Sequence, residues 1–71
     1  MHINDLLKWF EIQEVLEAAQ TEEYQLVLTV EQFEDLFPQK DLALGFIIKF
    51  NRLPYRLTAI SGNRCEFNVI L

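Results

Sequence analysis

Apolar positions in the first part of the chain follow a helical period. From residue 12 on, they recur three or four residues apart, at Ile12, Val15, Leu16 and Ala19, with glutamates on the opposite side. This spacing predicts an amphipathic helix, which Asn4 or Asp5 can cap with a side-chain oxygen. The first turns differ, because the apolar side chains there point nearly all round the axis: Leu6, Leu7, Trp9 and Phe10. That end of the helix is predicted to be deeply buried or to contact another molecule.

The period changes to two between Tyr24 and Val30. Leu26, Leu28 and Val30 fall on one side, which predicts a half-buried strand. Thr29 and Gln32 then have the spacing of a capping box, so a second, short helix is predicted to begin here. Its apolar stripe is Val30, Phe33, Leu36 and Phe37, and Pro38 disfavours helical geometry in the residue before it.

The last third of the chain predicts three strands, at residues 46–50, 55–60 and 65–71, with a turn at 51–54. The last two strands form a hairpin around Ser61-Gly62-Asn63. The inward residues of these two strands can pair with each other only if the loop has an odd number of residues or one strand contains a bulge. We place that irregularity near Asn63–Arg64. The chain ends within a strand, which predicts an edge open to pairing.

The order α-β-α-β-β-β predicts one compact α+β domain over residues 1–71. One main N-terminal helix packs on a four-stranded, mostly antiparallel sheet, and a short second helix lies between the first two strands. The 30–44 connection is long enough for a crossover, which allows the first strand to run parallel to its neighbour. A chain of 71 residues buries only about 60% of its unfolded surface. The apolar content of 51% therefore favours self-association, such as a homodimer.

Charge is distributed unevenly along the chain. Residues 1–41 carry ten acids and two bases, a net of −8, and residues 42–71 carry four bases and one acid, a net of +3. The sum is the net charge of −5. The carboxylates form two groups, Glu11, Glu14 and Glu17 on the first helix and Glu31, Glu34, Asp35 and Asp41 around the second. A solvated helix face is the ordinary role of such residues, and the alternative is a surface that meets a basic groove.

Trp9 and Phe10 have two interpretations. Core packing is the more frequent role of such residues, and the alternative is a contact surface, where aromatic anchors are enriched. The outward side of the sheet is predicted to carry four apolar residues among polar ones: Val27, Ile47, Ile60 and Ile70. If they are scattered, they need no explanation, and if they are contiguous, they mark a surface for a partner. The short helix could also cover them.

The residues predict no catalytic site, no cofactor and no metal centre. His2 lies at the terminus without a carboxylate to orient it, and Cys65 falls on the inward side of its strand with no histidine nearby. The acidic spacing matches no calcium loop. The C-terminal part of the chain carries four cations, Lys49, Arg52, Arg56 and Arg64. Against a net charge of −5, they do not favour direct binding of nucleic acid. A lone cysteine, no secretory signal and no membrane-spanning segment predict a cytoplasmic protein without a membrane partner.

Together these features predict a small acidic, non-enzymatic binding protein. It would inhibit or regulate a partner protein by occupying a basic, nucleic-acid-binding surface, as small viral anti-defence (anti-CRISPR-like) inhibitors do; the likeness is one of size and charge. The predicted contact residues are Glu11, Glu14, Glu17, Glu31, Glu34, Asp35, Asp41 and Trp9. The alternative is an accessory or antitoxin-like subunit that binds through its terminal strand and the apolar sheet face. A third hypothesis is a small enzyme or ligand-binding domain with a carboxylate site, which requires a pocket lined by two convergent acids.

Overall fold

The computed structural model of the protein describes the backbone of residues 3–71 and the side chains of residues 7–71. In this part of the chain, two helices and five strands occur in the order α1 (Ile3–Ala19), β1 (Gln20–Glu22), β2 (Gln25–Thr29), α2 (Val30–Leu36), β3 (Ile47–Phe50), β4 (Leu53–Ser61) and β5 (Arg64–Val69). The predicted α+β class with one main and one short helix is confirmed. The predicted strand count of four is wrong by one, because β1 consists of three exposed residues without apolar alternation.

Helix α1 begins at Ile3, so Asn4 and Asp5 lie within its first turn and not before it. Capping by their side chains, like any role of His2 or Leu6, lies outside the described residues. The predicted inner face is confirmed, since Leu16 and Ala19 are buried and Ile12 and Val15 pack against the core.

Helix α2 begins as its sequence predicts. The backbone N–H of Gln32 donates to Thr29 Oγ1 over 3.0 Å, and the backbone N–H of Thr29 donates to Gln32 Oε1 over 2.9 Å. These two bonds satisfy backbone donors that the first turn of a helix leaves free. At the other end, the N–H of Phe37 donates to Phe33 O before Pro38 stops the helix.

The sheet has the order β1-β2-β5-β4-β3, and every neighbouring pair is antiparallel. The parallel arrangement that the 30–44 connection allows does not occur, because this connection carries the chain to the far edge of the sheet. The last strand, β5, then inserts between β2 and β4. The prediction that the terminal strand is an open edge is therefore wrong, and the edges are β1 and β3.

Both helices pack on the same face of the sheet. Helix α1 contacts β2 and β3, and α2 contacts β2 and β5. The centre of the core is Phe33, which is fully buried with its ring centroid 5.1 Å from that of Phe46, 5.3 Å from Phe37 and 6.5 Å from Phe67. These contacts hold α2 and the chain after it against the sheet. The short helix therefore covers the inner face and not the outer one.

The hairpin between β4 and β5 has a two-residue loop, Gly62-Asn63, with Ser61 paired to Arg64. The positive φ of Gly62, +58°, suits the first loop position of a type II′ turn. The irregularity lies between Leu57 and Ala59, where Thr58 is an extra residue. A bulge is present as predicted, but its predicted place near Asn63–Arg64 is wrong.

The bulge keeps the core in register. It leaves Leu57 opposite Phe67 on the helix-covered face, although the short loop places Ile60, and not Ala59, opposite Cys65. Directly paired residues share one face of a sheet, so Ile60 lies on the side of Cys65 and not on the predicted outer face.

Deleting Thr58 should leave a regular hairpin with the same two-residue loop and the same core pairs. We expect cooperative unfolding with a loss of about 1 kcal/mol, because Asn68 Nδ2 loses its bond to Thr58 Oγ1. Deleting Arg56 is the control, since it turns Tyr55 to the outer face and should abolish folding. Urea titrations followed by circular dichroism measure both. A Thr58 deletion that unfolds the chain would contradict this account of the bulge.

The hairpin between β3 and β4 turns through Asn51 and Arg52, both with positive φ, at +54° and +70°. This pattern is that of a type I′ turn, whose second central position strongly favours glycine. Asparagine tolerates the left-handed region, whereas arginine there costs roughly 1 kcal/mol. The turn therefore keeps an arginine where glycine would be more stable.

We expect Arg52→Gly to raise the free energy of unfolding by about 1 kcal/mol by relieving this strain. Arg56→Gly is the matched control, because Arg56 is also exposed but lies within β4, where glycine should cost about 0.5–1 kcal/mol. Urea unfolding of the two variants gives opposite signs if the strain is real. Equal destabilisation would show that Arg52 makes a stabilising contact that outweighs its backbone cost.

Candidate functional site

Three apolar side chains near the N-terminal end of α1 are exposed. Leu7, Trp9 and Phe10 retain 61%, 54% and 55% of their accessible surface, and the rings of Trp9 and Phe10 meet edge to face with centroids 5.1 Å apart. The core interpretation of Trp9 and Phe10 is therefore wrong. In the described part of α1, the apolar positions that pack against the core start at the partly buried Ile12, and α2 covers the rest of the inner face. We call Leu7, Trp9 and Phe10 the apolar patch.

Six of the predicted contact carboxylates lie on the two helices of one layer, and all are exposed: Glu11, Glu14, Glu17, Glu31, Glu34 and Asp35. We call them the acidic surface. The Lys8 ammonium donates to the backbone carbonyl oxygen of Asp35 over 3.2 Å and links the two helices. Asp41 is also exposed, but it belongs to the connection between α2 and β3 and not to the helices.

The acidic surface has no compensating cations in ion-pair contact. Among the side chains of residues 7–71, the one ion pair joins Arg64 to Glu66, 3.7 Å apart on β5. Lys49, Arg52 and Arg56 form no such pair within the same residues. The carboxylates of the helix layer therefore keep their charge available to another molecule.

The apolar patch and the acidic surface share one stripe of α1. This stripe consists of residues three or four positions apart, which are neighbours on the side of the helix turned away from the sheet. They are Leu7, Phe10, Glu14 and Glu17. This stripe combines two apolar side chains with two carboxylates. The pattern of the first turns, apolar in every direction, was the sequence signal of this arrangement.

The outer face of the sheet does not form one apolar patch. Ile47 is opposite Arg56, which is opposite Asn68, and Val27 is opposite Glu66. Polar residues therefore separate the apolar ones. Asn68 Nδ2 donates to Thr58 Oγ1 over 2.7 Å, and this bond crosses the same face.

A groove of about 750 Å³ lies between α1 and the turn that joins β3 to β4. One side consists of a stripe of α1 and the first residue of β1: Trp9, Gln13, Glu17 and Gln20. The other side consists of the end of β3 and its turn: Lys49, Phe50, Asn51 and Arg52. Sequence reasoning missed this groove. The helical stripe is visible in the spacing of its residues, but only the tertiary structure places it beside residues 49–52.

The enzyme hypothesis requires two acids that converge in one groove. Among the described residues that line this groove, Glu17 is the one carboxylate. Among the described residues, no group of three histidine, cysteine or acidic side chains could hold a metal ion. Neither helix of residues 3–71 is long and apolar enough to cross a membrane.

Cys65 is fully buried in β5, and burial raises the pKa of its thiol above the ordinary value of 9.0. A raised pKa keeps the sulfur protonated, and the protonated form is a poor nucleophile. Burial also raises the pKa of the Tyr55 hydroxyl above 10.0, with a smaller contribution from the charge of Tyr24. Both groups belong to the core and not to the groove.

Comparison of the chain with protein-family models, with curated proteins and with solved structures finds no match.

The raised pKa values predict a loss of stability at high pH. The folded chain holds both protons more tightly than the unfolded chain, so this contribution is fully present below pH 9.0 and is lost as pH rises through the folded values. We expect the urea midpoint to fall between pH 9 and pH 11. The double variant Cys65→Ala, Tyr55→Phe should show a shallower decline. An equally steep decline would assign the effect to other groups.

Proposed function

We propose that the protein is a small non-enzymatic binding protein whose helix layer attaches to a basic surface of a partner protein. The observation that carries this proposal is the exposed apolar patch beside six carboxylates that form no ion pair with the side chains of residues 7–71. A contiguous exposed apolar patch marks an interaction site more often than a single exposed residue does, and aromatic side chains are enriched among interface anchors.

The two components of the surface have different roles in binding. Carboxylates that face lysine and arginine side chains raise the association rate and select a basic partner. Phe10 and Leu7 then lose water on docking, which slows dissociation, because a few buried anchors carry most of the binding energy in an interface. The spacing of Phe10 and Glu14 by one helical turn lets one partner surface engage both.

A basic surface of this kind is typical of nucleic-acid-binding proteins. Carboxylates arrayed on a helix layer resemble phosphates in charge, so the bound protein would displace nucleic acid and inhibit its partner. Small inhibitors that viruses of bacteria direct against host defence act in this way, and the likeness to them is one of size and charge. The alternative of an accessory subunit is weaker, because β5 is paired on both sides and the outer sheet face is mixed.

Charge reversal tests the proposal with matched variants. Glu34→Lys, Asp35→Lys changes the acidic surface, whereas Glu22→Lys, Glu23→Lys makes the same change of charge on exposed residues outside the helices. Each variant and the wild-type chain serve as bait for affinity capture from a lysate, and mass spectrometry identifies the bound protein. We expect a basic protein that the wild type and the Glu22/Glu23 variant retain and that the Glu34/Asp35 variant loses.

The captured partner allows a quantitative test. Its association rate should fall about tenfold on reversal of Glu34 and Asp35, and also as salt rises from about 50 to about 500 mM. Phe10→Ala should weaken binding at least tenfold, whereas Leu44→Ala, which removes another exposed apolar side chain, should have no effect. Binding that ignores salt, Phe10 and the helix carboxylates would overturn the proposal.

A further inference from the structure

The orientation of the backbone in β4 follows from its hydrogen bonds. The N–H of Leu57 donates to Phe46 O over 2.8 Å, and the N–H of Gly45 donates to Leu57 O over 2.9 Å, so the backbone of Leu57 faces β3. Residues two apart in a strand direct their backbone groups the same way, so Tyr55 also faces β3. Tyr55 is opposite Ile48, which makes these two residues the hydrogen-bonded pair of the β3–β4 ladder.

The neighbours of Ile48 therefore direct their N–H and C=O groups away from β4. These residues are Ile47 and Lys49, and the side they face is the open edge of the sheet. The Lys49 carbonyl on this edge accepts a bond from Gln13 Nε2 over 3.3 Å, so a side-chain amide of α1 occupies one place that the N–H of an added strand would take.

The groove opens at the end of this edge. Trp9 and Phe50 give it apolar walls, and the charged side chains Glu17 and Arg52 belong to its described lining. Because side chains alternate along a strand, Lys49 directs its side chain to the outer face together with Ile47. The hairpin of β3 and β4, residues 47–61, carries three cations, Lys49, Arg52 and Arg56, and no acidic residue, so its charge is opposite in sign to the net charge of −5. The positive φ of Arg52 adds a second observation, since the chain keeps an arginine there at a cost in backbone strain.

The other edge of the sheet differs in each respect. Strand β1 has three residues and an irregular register with β2, and its edge carries Glu22. The irregular register interrupts the run of backbone groups that an added strand would need.

From this geometry we propose that the edge of β3 binds an extended, acidic segment of a partner protein as a sixth strand. Its backbone bonds to Ile47 and Lys49, a carboxylate side chain meets Arg52 and Lys49, and an apolar side chain packs against Trp9. Strand addition beside a helix gives affinity through the main chain and selectivity through alternate side chains. This site shares Trp9 and Glu17 with the helix-layer surface, but it excludes the carboxylates of α2 and has the opposite charge preference.

The test uses a phage-displayed library of random peptides as its probe, panned against the full chain. We expect enriched peptides that carry aspartate or glutamate in an extended, β-prone context. Synthetic copies of these peptides should shift the fluorescence of Trp9, which is the only tryptophan of the chain and lines the groove.

Two matched pairs of variants decide the mode of binding. Ile47→Pro removes an outward N–H without breaking the ladder to β4 and should weaken binding at least tenfold, whereas Ile47→Ala keeps that N–H and should weaken it far less. Arg52→Gly should also weaken binding about tenfold although it stabilises the fold, and Arg56→Gly should not. A loss of binding with a gain in stability separates a recognition role from a structural one.

Three outcomes overturn the inference. The first is that panning enriches no peptides, and the second is that the peptides bind the Ile47→Pro variant as tightly as the wild type. The third is that the chain forms a dimer through β3 and that Ile47→Pro dissociates this dimer. Peptide binding should survive reversal of Glu34 and Asp35, which keeps failure of this site distinguishable from failure of the helix-layer interface.

Discussion

The constraint on which this structure depends is that a short chain can cover only one face of its sheet. Phe33 anchors α2 there through ring contacts with Phe37, Phe46 and Phe67, and the C-terminal half of α1 covers the remainder. Two helices on one face leave the other to solvent. Among the described side chains of α1, Ile12 is the first to pack against the core, whereas Leu7, Trp9 and Phe10 lie outside. The exposed apolar patch is thus a direct consequence of how the core is filled.

The same two-layer arrangement converts a charge pattern along the chain into a charge pattern in space. The acidic helices occupy one layer, whereas Lys49, Arg52 and Arg56 lie on the hairpin of β3 and β4 at one side of the sheet. Within the described side chains these groups do not neutralise each other by direct pairing. The molecule therefore presents surfaces of opposite sign, and its net charge of −5 understates the attraction of the basic side for an anionic group.

Local features of the sequence predicted local structure well. The capping box of α2, its end before Pro38 and the inner face of α1 all depend on residues within a few positions of one another, and all are confirmed. Features that depend on distant residues were harder to predict. The alternation of inward and outward residues in β4 and β5 required an irregularity in their pairing. Nothing in the sequence near Thr58 marks this residue as the extra one. Strand β1 exists because it pairs with β2, not because of any pattern of its own.

The sequence by itself determined the elements and their faces, because helical and strand periods, caps and turn residues act over a few residues. It also determined the separation of acids from bases along the chain. Tertiary structure alone decided that β5 lies in the centre of the sheet, that Trp9 is exposed and that a stripe of α1 meets the β3–β4 turn in a groove. Strand order and burial depend on which distant segments compete for one small core, and no local pattern records the outcome of that competition.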